Sequence, residues 1–284
     1  MKRNKSFNGD NLLYLIATPI GNLSEFTPRA IEIIQQADLV AAEDTRNTFS
    51  LLSRFGIKKD LFSLREHNEK EASKYIIDQI KAGKRIVYVS DAGYPGISDP
   101  GNILVQEAIK NDINVSTING SCAFINALVS SGLSTEHFYF HGFLNAQQSK
   151  AKSELEALRC KTETLIFYES PHRIDKTLGL LFDVLGNRNA VIGRELTKMN
   201  EEFIRGTLSE LKEVDKETLK GEMVITVEGS RGESALNDNE ISAKVQYFIS
   251  KGLSKKDAIQ VVSEIYNVNK NKIKELFNYW CLPR

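Results

Sequence analysis

The sequence has few of the residues that define several common protein classes. Its 284 residues include only three cysteines. These cysteines, Cys122, Cys160 and Cys281, are odd in number and far apart, so the sequence predicts neither a disulfide framework nor a zinc cluster. No apolar stretch approaches the roughly 20 residues that are needed to span a bilayer. We therefore expect no membrane-spanning segment.

An excess of charge of one sign is also lacking. Lys plus Arg number 37 and Asp plus Glu number 37, so the formal net charge is zero. This balance argues against a non-specific nucleic-acid coat, which depends on a large cationic excess, but it allows a local basic surface. The first apolar stretch, residues 12–20, is too short for a signal peptide and lacks a convincing cleavage site. We therefore expect a cytoplasmic protein.

Two of the four histidines, His137 and His141, have a spacing that could hold a metal ion if they lay on a helix. Their neighbours are aromatic and favour a strand, and the glutamate of a metalloprotease motif does not follow the first histidine. We therefore expect two polar residues at the edge of a strand, and no metal.

Strand and helix signals alternate along the first half of the chain. The apolar run at residues 12–17 is typical of a strand that is buried on both faces. Thr27 and Pro28 predict a helix N-cap and a first helical residue, and Gly56 and Gly83 predict the ends of two later helices. This βαβα order predicts a mostly parallel sheet with helices on both faces.

The rest of the chain predicts a second α/β block and a helical tail. An extra strand at 202–206 makes the second sheet mixed, and a polar linker then precedes three segments with helical apolar spacing, at 241–251, 254–266 and 270–280. We predict an N-terminal α/β domain at 1–120, a second α/β domain at 121–229, and a linker with a C-terminal all-α domain at 230–284. So small a helical domain is expected to dock or to bind a partner.

The most distinctive segments follow predicted strands, where ligands bind in open parallel sheets. They are residues 18–23, 43–46, 65–68, 90–101 and 119–123. Their glycines let the backbone approach a ligand closely. None of them matches a phosphate loop or a dinucleotide fingerprint. We therefore expect a ligand that is adenosine-like but lacks phosphates.

Six motifs along the chain carry a resemblance to a known family. They are Thr-Pro-Ile-Gly-Asn-Leu at 18–23, Ala-Glu-Asp-Thr-Arg at 42–46, His-Asn-Glu at 67–69, Ser-Asp-Ala-Gly-Tyr-Pro-Gly-Ile-Ser-Asp-Pro-Gly at 90–101, Phe-Tyr-Glu-Ser-Pro-His-Arg at 167–173 and Arg-Glu-Leu-Thr-Lys at 194–198. Together they resemble the tetrapyrrole methylase superfamily and, within it, the methyltransferases of small-subunit ribosomal RNA. The resemblance spans about residues 12–229, and the tail is similar to that family's C-terminal extension. One departure is Asn119-Gly120, where the family usually has Pro-Gly.

The resemblance implies a fold, a reaction and a cofactor. The fold is α/β, with two domains of tetrapyrrole-methylase type, S-adenosylmethionine in the cleft between them, and a small C-terminal all-α extension. The reaction is 2′-O-methylation of a cytidine in the decoding region of 16S rRNA on the small subunit, usually by a homodimer. By analogy with the superfamily, and with Asp91 as our own proposed anchor, the cofactor-binding residues are Pro19, Asp91, Tyr94, Ser121, Cys122, Tyr168, Leu196 and Glu222.

Methyl transfer to a ribose oxygen requires alignment of that oxygen and benefits from a group that takes or orients its proton. The catalytic candidates are Glu43, Asp44 and His67, and the sequence does not choose among them. Arg46 suits a phosphate because its guanidinium is planar and bidentate. The RNA-binding candidates are Arg46, Asn68, Arg173, Arg194, Lys198 and Arg205.

Each candidate also has a purely structural interpretation. Residues 43–46 are typical of a helix cap with a local ion pair. Asp91 and Asp99 favour turns, Tyr168 suits an apolar core, and His172 with Arg173 suits a surface pair. The small residues at 121–123 could simply let a helix pack closely, and the lysines of the tail are typical of a solvated helix face.

Two other functions are compatible with the sequence. The first is a methylase of the same fold that acts on a tetrapyrrole or another small metabolite, which needs no basic surface and leaves the helical tail unexplained. The second is a non-catalytic ribosome-assembly factor that has retained the cofactor pocket.

Overall fold

In the computed structural model, residues 12–231, 238–266 and 268–280 are described, with side chains up to residue 276 in the last segment. The break predicted at Asn267 and most of the predicted linker, residues 232–237, lie outside them. The described residues form two compact units. One contains residues 12–130, 193–203 and 221–224, and the other contains residues 131–192, 204–220 and 225–280. The three-domain division at 1–120, 121–229 and 230–284 stays a prediction.

The first sheet is entirely parallel, as the alternating sequence pattern predicted. Its strands are β1 Leu12–Ile16, β2 Leu39–Ala42, β3 Leu61–Ser63, β4 Ile86–Val89 and β5 Asn114–Ile118. The strands lie in the order β3-β2-β4-β1-β5. The helices that follow them are α1 Pro28–Gln36, α2 Thr45–Arg54, α3 Glu69–Lys81, α4 Asn102–Lys110 and α5 Ala123–Ser131. Two short 3₁₀ turns, Leu23–Glu25 and Glu66–Asn68, lie in the loops.

Both faces of this sheet are buried, because neighbouring residues of a strand point to opposite sides. Leu13 and Tyr88 belong to a core that also contains buried residues of α3 and α4. Ile16 and Val87 belong to a second core with α1 and α2. The continuous apolar strands therefore reflect burial on two sides, which confirms the interpretation of residues 12–17.

The predicted helix boundaries rest on local signals that the structure confirms. The Thr27 hydroxyl accepts a 3.2 Å hydrogen bond from the backbone N–H of Ala30, with Pro28 as the first helical residue. Gly56 and Gly83 follow α2 and α3 with φ of 68° and 89°, a conformation that glycine adopts without strain. The helix predicted from 121 begins two residues later, at Ala123.

The second sheet has the strand order β6-β7-β10-β8-β9. Its strands are β6 Phe138–Phe143, β7 Thr164–Glu169, β8 Asn189–Arg194, β9 Glu202–Thr207 and β10 Met223–Val227. The pairing of β6 with β7 is parallel and shifts register between Phe140 and Gly142, so β6 continues past the predicted end at 140. The mixed character of this sheet stays a prediction.

Three further helices accompany the second sheet, α6 Gln148–Leu158, α7 Ile174–Leu185 and α8 Leu208–Lys212. The helix predicted to begin at His172 begins instead at Ile174, because Ser170 to Arg173 form a turn that is closed by an N–H···O bond from Arg173 to Ser170. The last described elements are the helices α9 Asp238–Ser250, α10 Lys255–Tyr266 and α11 Lys270–Trp280. Ile241, Val262 and Ile273 are fully buried among them, which confirms the predicted helical tail.

Candidate active site

The loops at the carboxyl ends of the first sheet are joined by their backbones. Thr18 follows β1 and Gly93 follows β4, and these two residues exchange N–H···O bonds of 2.9 and 3.0 Å. The hydroxyl of Thr18 donates to the carbonyl of Ser90, and the hydroxyl of Ser90 donates to the carbonyl of Gly93, each at 3.2 Å. The loops predicted to hold a ligand therefore lie side by side, where ligands bind in folds of this kind.

Gly120 brings a third loop against the same edge. A Cβ atom at this position would lie 2.8 Å from the carbonyl oxygen of Ala17, closer than real Cβ atoms come. The backbone N–H of Gly120 donates to the Tyr94 hydroxyl at 3.2 Å. The replacement of Pro-Gly by Asn119-Gly120 therefore keeps the one residue that the close approach requires.

A cavity of about 880 Å³ lies beside these loops, within the first unit. Three of the predicted cofactor-binding residues, Tyr94, Ser121 and Cys122, contribute to its wall, together with Phe26 and Phe124. Its volume is within the range of small-molecule sites, and its combination of aromatic residues with a few polar groups is typical of them.

The surroundings of Ser121 and Cys122 determine what these two side chains of the cavity wall can do. The Ser121 hydroxyl donates to the Glu25 carboxylate at 2.5 Å, which orients both side chains. Burial raises the pKa of the Cys122 thiol, so this cysteine stays neutral at physiological pH and is a poor nucleophile. The wall is therefore suited to binding rather than to covalent chemistry.

A smaller pocket of about 130 Å³ lies near Asp91. Pro19 and Asp91, two further predicted cofactor-binding residues, line it, as do Gly21, Asn47 and Ser90. Five of the eight predicted cofactor-binding residues thus lie in the loops of the first sheet.

Asp91 is also the centre of a hydrogen-bond network that includes two of the catalytic candidates. Its Oδ1 accepts from the backbone N–H of Asp44 at 3.1 Å, and its Oδ2 accepts from the side chain of Asn47 at 2.8 Å. The carboxylate of Glu43 accepts from the backbone N–H of Asp91 at 3.3 Å. The structure therefore brings Asp91 next to Glu43 and Asp44, which lie 48 and 47 residues earlier in the chain.

Asp44 is a helix cap and an ion-pair partner at once. Its Oδ1 accepts from the backbone N–H of Arg46 at 2.8 Å at the start of α2, and its Oδ2 accepts from the Arg46 guanidinium at 2.6 Å. These bonds hold the pKa of Asp44 well below its usual range, so this carboxyl is ionised at neutral pH and is a weak proton acceptor. The Arg46 side chain remains 84% exposed.

Two carboxyl groups near Asp91 are shifted in the opposite direction. Burial, together with the charges of Glu43 and Asp91, raises the pKa of Asp99 to about 7. Burial also raises the pKa of Glu43. A group that titrates near neutrality, as Asp99 does, is suited to proton transfer. Sequence reasoning treated Asp99 only as a turn former, and the one available signal was its place in the same glycine-rich loop as Asp91.

His67 and Asn68, the candidates in the loop between β3 and α3, differ in their surroundings. His67 is exposed in the 3₁₀ turn that precedes α3. Asn68 stabilises that turn, because its side chain accepts from the N–H of Arg65 at 2.7 Å and donates to the carbonyl of Ser63 at 3.2 Å. Arg65, which the sequence analysis did not select, donates to the carbonyl of Glu43 at 3.2 Å.

Four basic RNA-binding candidates form contacts within the fold. In the first unit, Arg194 pairs with Glu202 at 2.5 Å, and Lys198 pairs with Glu195 and Glu222. In the second unit, the guanidinium of Arg173 donates to the carbonyl of Leu144 at 2.7 Å, and that of Arg205 donates to Ser131 at 3.3 Å. These contacts limit the donors that each side chain can offer to RNA.

Comparisons with known proteins agree with this geometry. The family model of Tetrapyrrole (Corrin/Porphyrin) Methylases matches residues 12–212. Ribosomal RNA small subunit methyltransferase I of Bacillus subtilis is 41% identical over 98% of this chain and 99% of its own length. The protein of that name from Halalkalibacterium halodurans is 45% identical over 94% of both chains. This chain belongs to the tetrapyrrole methylase family, among the ribosomal RNA small subunit methyltransferase I proteins.

The family membership confirms the predicted fold class, two α/β sheets of tetrapyrrole-methylase type followed by helices. A solved structure of diphthine synthase shows the same fold, with a TM-score of 0.60 and 16% identity over 77% of this chain and 89% of its own. Within the described residues, no helix is both long and apolar enough to cross a membrane. In the same part of the chain, no three side chains of His, Cys, Asp or Glu are grouped as metal ligands.

The last three cofactor-binding candidates lie outside the loops of the first sheet. Leu196 is buried, and Glu222 is exposed and bonded to Lys198, both in the first unit. Tyr168 lies in the second unit and packs against Phe140 and Phe143, with ring centroids 4.9 and 5.5 Å apart. Their part in cofactor binding stays a prediction.

The motif around Tyr168 contains a buried carboxylate that sequence reasoning missed. Glu169 is 2% exposed, and it accepts from the Thr177 hydroxyl at 2.6 Å and from the backbone N–H of Ser170 at 2.8 Å. Arg173 lies 3.5 Å from the same carboxylate. These contacts hold the turn before α7, so this motif has a structural role within the second unit.

Proposed function

We propose that this protein transfers the methyl group of S-adenosylmethionine to the 2′ oxygen of a cytidine ribose in the decoding region of 16S rRNA. The observation that carries the proposal is identity of 41–45% along nearly the whole chain to proteins named ribosomal RNA small subunit methyltransferase I. The match covers both the α/β part and the helical tail. It therefore favours an RNA substrate over a tetrapyrrole, for which the tail has no evident use.

The walls of the first unit fit the proposed methyl donor. S-adenosylmethionine carries an activated methyl group on a sulfonium and an adenosine without phosphates. The glycine-rich loops expose backbone groups without forming a phosphate loop, and the 880 Å³ cavity is large enough for such a molecule. Tyr94, Ser121 and Cys122 would contact the donor there, and Asp91 would accept from a ribose hydroxyl or the amino group.

The acidic residues near Asp91 support a proton-transfer step. A ribose hydroxyl is a poor nucleophile, so a group that accepts its proton accelerates the transfer. Glu43 and Asp99 have raised pKa values and are better acceptors near neutrality than Asp44, which Arg46 keeps ionised. We assign Glu43 or Asp99 as the group that accepts the proton of the 2′ hydroxyl. We assign Arg46, whose guanidinium is exposed, as the group that binds an RNA phosphate.

The test is transfer of labelled methyl from S-adenosylmethionine to three acceptors, namely small ribosomal subunits, free 16S rRNA and a tetrapyrrole. We expect label on the subunits, recovered as 2′-O-methylcytidine after digestion and mass spectrometry. Lys110→Met, on the exposed surface of α4, serves as the control with normal transfer. Label on the tetrapyrrole alone, or donor binding without any transfer, contradicts the proposal.

We also propose that the protein acts in the cytoplasm as a homodimer. The family resemblance supports both statements. Light scattering in solution is expected to give twice the 31.9 kDa mass of one chain, and a mass of one chain at working concentration contradicts the dimer.

A further inference from the structure

Lys198 was predicted to contact RNA, but its surroundings point to a different role. Its ammonium lies 3.0 Å from the carboxylate of Glu195 and 3.1 Å from that of Glu222, and its side chain is 30% exposed. Burial lowers the pKa of Lys198, but the hydrogen bonds and the negative charges of Glu195 and Glu222 together outweigh burial, so the pKa of Lys198 is raised. Two carboxylates beside the ammonium make this a poor place for a phosphate, because like charges repel.

The alkyl stem of Lys198 packs against the loop that follows β1. A Cβ atom on Gly21 would lie 2.5 Å from Cγ of Lys198 and 2.8 Å from its Cε, so the stem occupies the space that a side chain at position 21 would need. Gly21 has a φ of 149°, a conformation that other residues rarely adopt. The lysine stem therefore packs directly against the backbone of Gly21.

The segment that carries Lys198 is itself held in an unusual backbone. Glu195 and Thr197 have φ of 51° and 68°, a left-handed conformation that is strained for residues other than glycine. The bond from Lys198 to Glu195 spans this turn, and Glu195 also accepts from the N–H of Glu222 at 3.2 Å. The surrounding contacts thus hold a strained turn in one conformation, with the Lys198 stem directed at Gly21.

Gly21 is also part of the wall of the pocket that contains Asp91 and Pro19. We propose that Lys198 is a positioning residue for methyl transfer. Its alkyl stem holds Gly21 in position, and so holds the pocket wall that Gly21 shares with Asp91. Its ammonium pairs with Glu195 and Glu222 and does not contact RNA. This inference rests on the proposed function, in which Asp91 contacts the methyl donor.

Two variants separate a positioning role from a phosphate contact. Lys198→Met keeps most of the stem without its charge, and Lys198→Ala removes both. Positioning by the stem predicts that the Kd for S-adenosylmethionine, measured by calorimetry without RNA, rises at least tenfold in Lys198→Ala and less than threefold in Lys198→Met. A phosphate contact predicts an unchanged donor Kd in both variants.

The salt dependence of binding to small subunits gives the second measurement. Each lost phosphate contact reduces the slope of log K against log salt concentration by about 0.7–0.9. We expect no change of slope in either variant, and Lys110→Met provides the matched control for loss of a lysine charge. A reduced slope in Lys198→Met, or equal donor Kd values for the Ala and Met variants, overturns the proposal. If Lys198→Ala does not fold, the salt slope of Lys198→Met still decides between the two roles, because positioning predicts an unchanged slope and a phosphate contact predicts a reduced one.

A double-mutant cycle tests the contact with Gly21. Gly21→Ala should weaken donor binding, and the added loss should be smaller in the Lys198→Ala background because the stem no longer fills that space. Additive losses contradict the contact. Failure of the wild type to bind S-adenosylmethionine would instead refute the proposed function, so the two failures are distinguishable.

Discussion

The backbone N–H of Gly101 donates a 2.8 Å hydrogen bond to the carboxylate of Glu69, which lies 32 residues earlier in the chain. The same oxygen accepts from Ile103 at 2.9 Å and from Leu104 at 3.4 Å. Glu69 is 7% exposed and so serves as a buried cap for α4, where Gly101 has no side chain to do so. A negative charge at this end of a helix also interacts favourably with its dipole.

Replacement of this cap should destabilise the protein. We expect Glu69→Ala to lower the free energy of unfolding by about 2 kcal/mol, since three N–H groups at the start of α4 lose their acceptor. Urea unfolding measures this loss. The matched control is Glu71→Ala, because Glu71 is an exposed glutamate on α3, the helix that also carries Glu69. This substitution should change stability by less than about 0.5 kcal/mol. Equal effects of the two substitutions contradict the capping role.

Asp99 should make stability depend on pH. Its pKa rises from an ordinary 3.8 to about 7 in the fold, mainly because of burial. Between these values the folded protein holds more protons than the unfolded chain, so stability falls as pH rises from about 4 to 7 and then levels off. Asp99→Asn removes this loss, so the variant should gain stability relative to wild type as pH increases.

The measurement for Asp99 is the urea midpoint of both proteins at pH 5, 6, 7 and 8, without ligand. The difference between Asp99→Asn and wild type should grow up to about pH 7 and then stay constant. Asp78→Asn, an exposed residue of α3, controls for the general loss of an acidic group. A difference that is the same at all four pH values would mean that Asp99 titrates as an ordinary aspartate.

Asp91 should be required for donor binding. Its two carboxylate oxygens accept hydrogen bonds from Asp44 and Asn47. We therefore expect Asp91→Ala both to disorder the pocket and to remove a contact with the donor. We expect the calorimetric Kd for S-adenosylmethionine to rise at least tenfold, with a smaller change in Asp91→Asn, which keeps an acceptor for the N–H of Asp44. Unchanged affinity in Asp91→Ala would remove this residue from the site.

Arg46 should affect RNA and not the donor. Its guanidinium is exposed, and Asp44 holds it in a fixed orientation at the start of α2. Arg46→Met should reduce the salt slope of subunit binding by about 0.7–0.9 and leave the donor Kd within threefold of wild type. Methyl transfer at an unaltered rate on small subunits would leave Arg46 only as the ion-pair partner of Asp44, the cap of α2.

The sequence predicted those features that depend on nearby residues. Thr27 caps α1 by a bond to a residue three positions away, and Gly56 ends α2 by its own conformation. Both helix ends could therefore be predicted from the local sequence. The cap from Glu69 to Gly101 was not, because 32 residues separate the two groups and only the fold joins them. The raised pKa of Asp99 was missed for the same reason, since it arises from burial and from Glu43.

The glycine motifs were interpreted as places of close backbone approach, and Gly120 allows a direct test. A Cβ at this position would lie 2.8 Å from the carbonyl oxygen and 3.0 Å from the Cβ of Ala17, the buried residue that follows β1. Gly120→Ala should therefore force the loop away from β1, lower the free energy of unfolding by about 1–3 kcal/mol and weaken donor binding.

Gly179, in the interior of α7, is the matched control because no atom lies within 4 Å of the position of an added Cβ. Gly179→Ala should raise stability by about 0.5–1 kcal/mol, since alanine favours the helix. Urea unfolding should thus show shifts of opposite sign for the same chemical change. If both substitutions stabilise the protein, the approach of Gly120 to Ala17 is not a constraint on the loop, and the cavity wall that it forms must tolerate a side chain there.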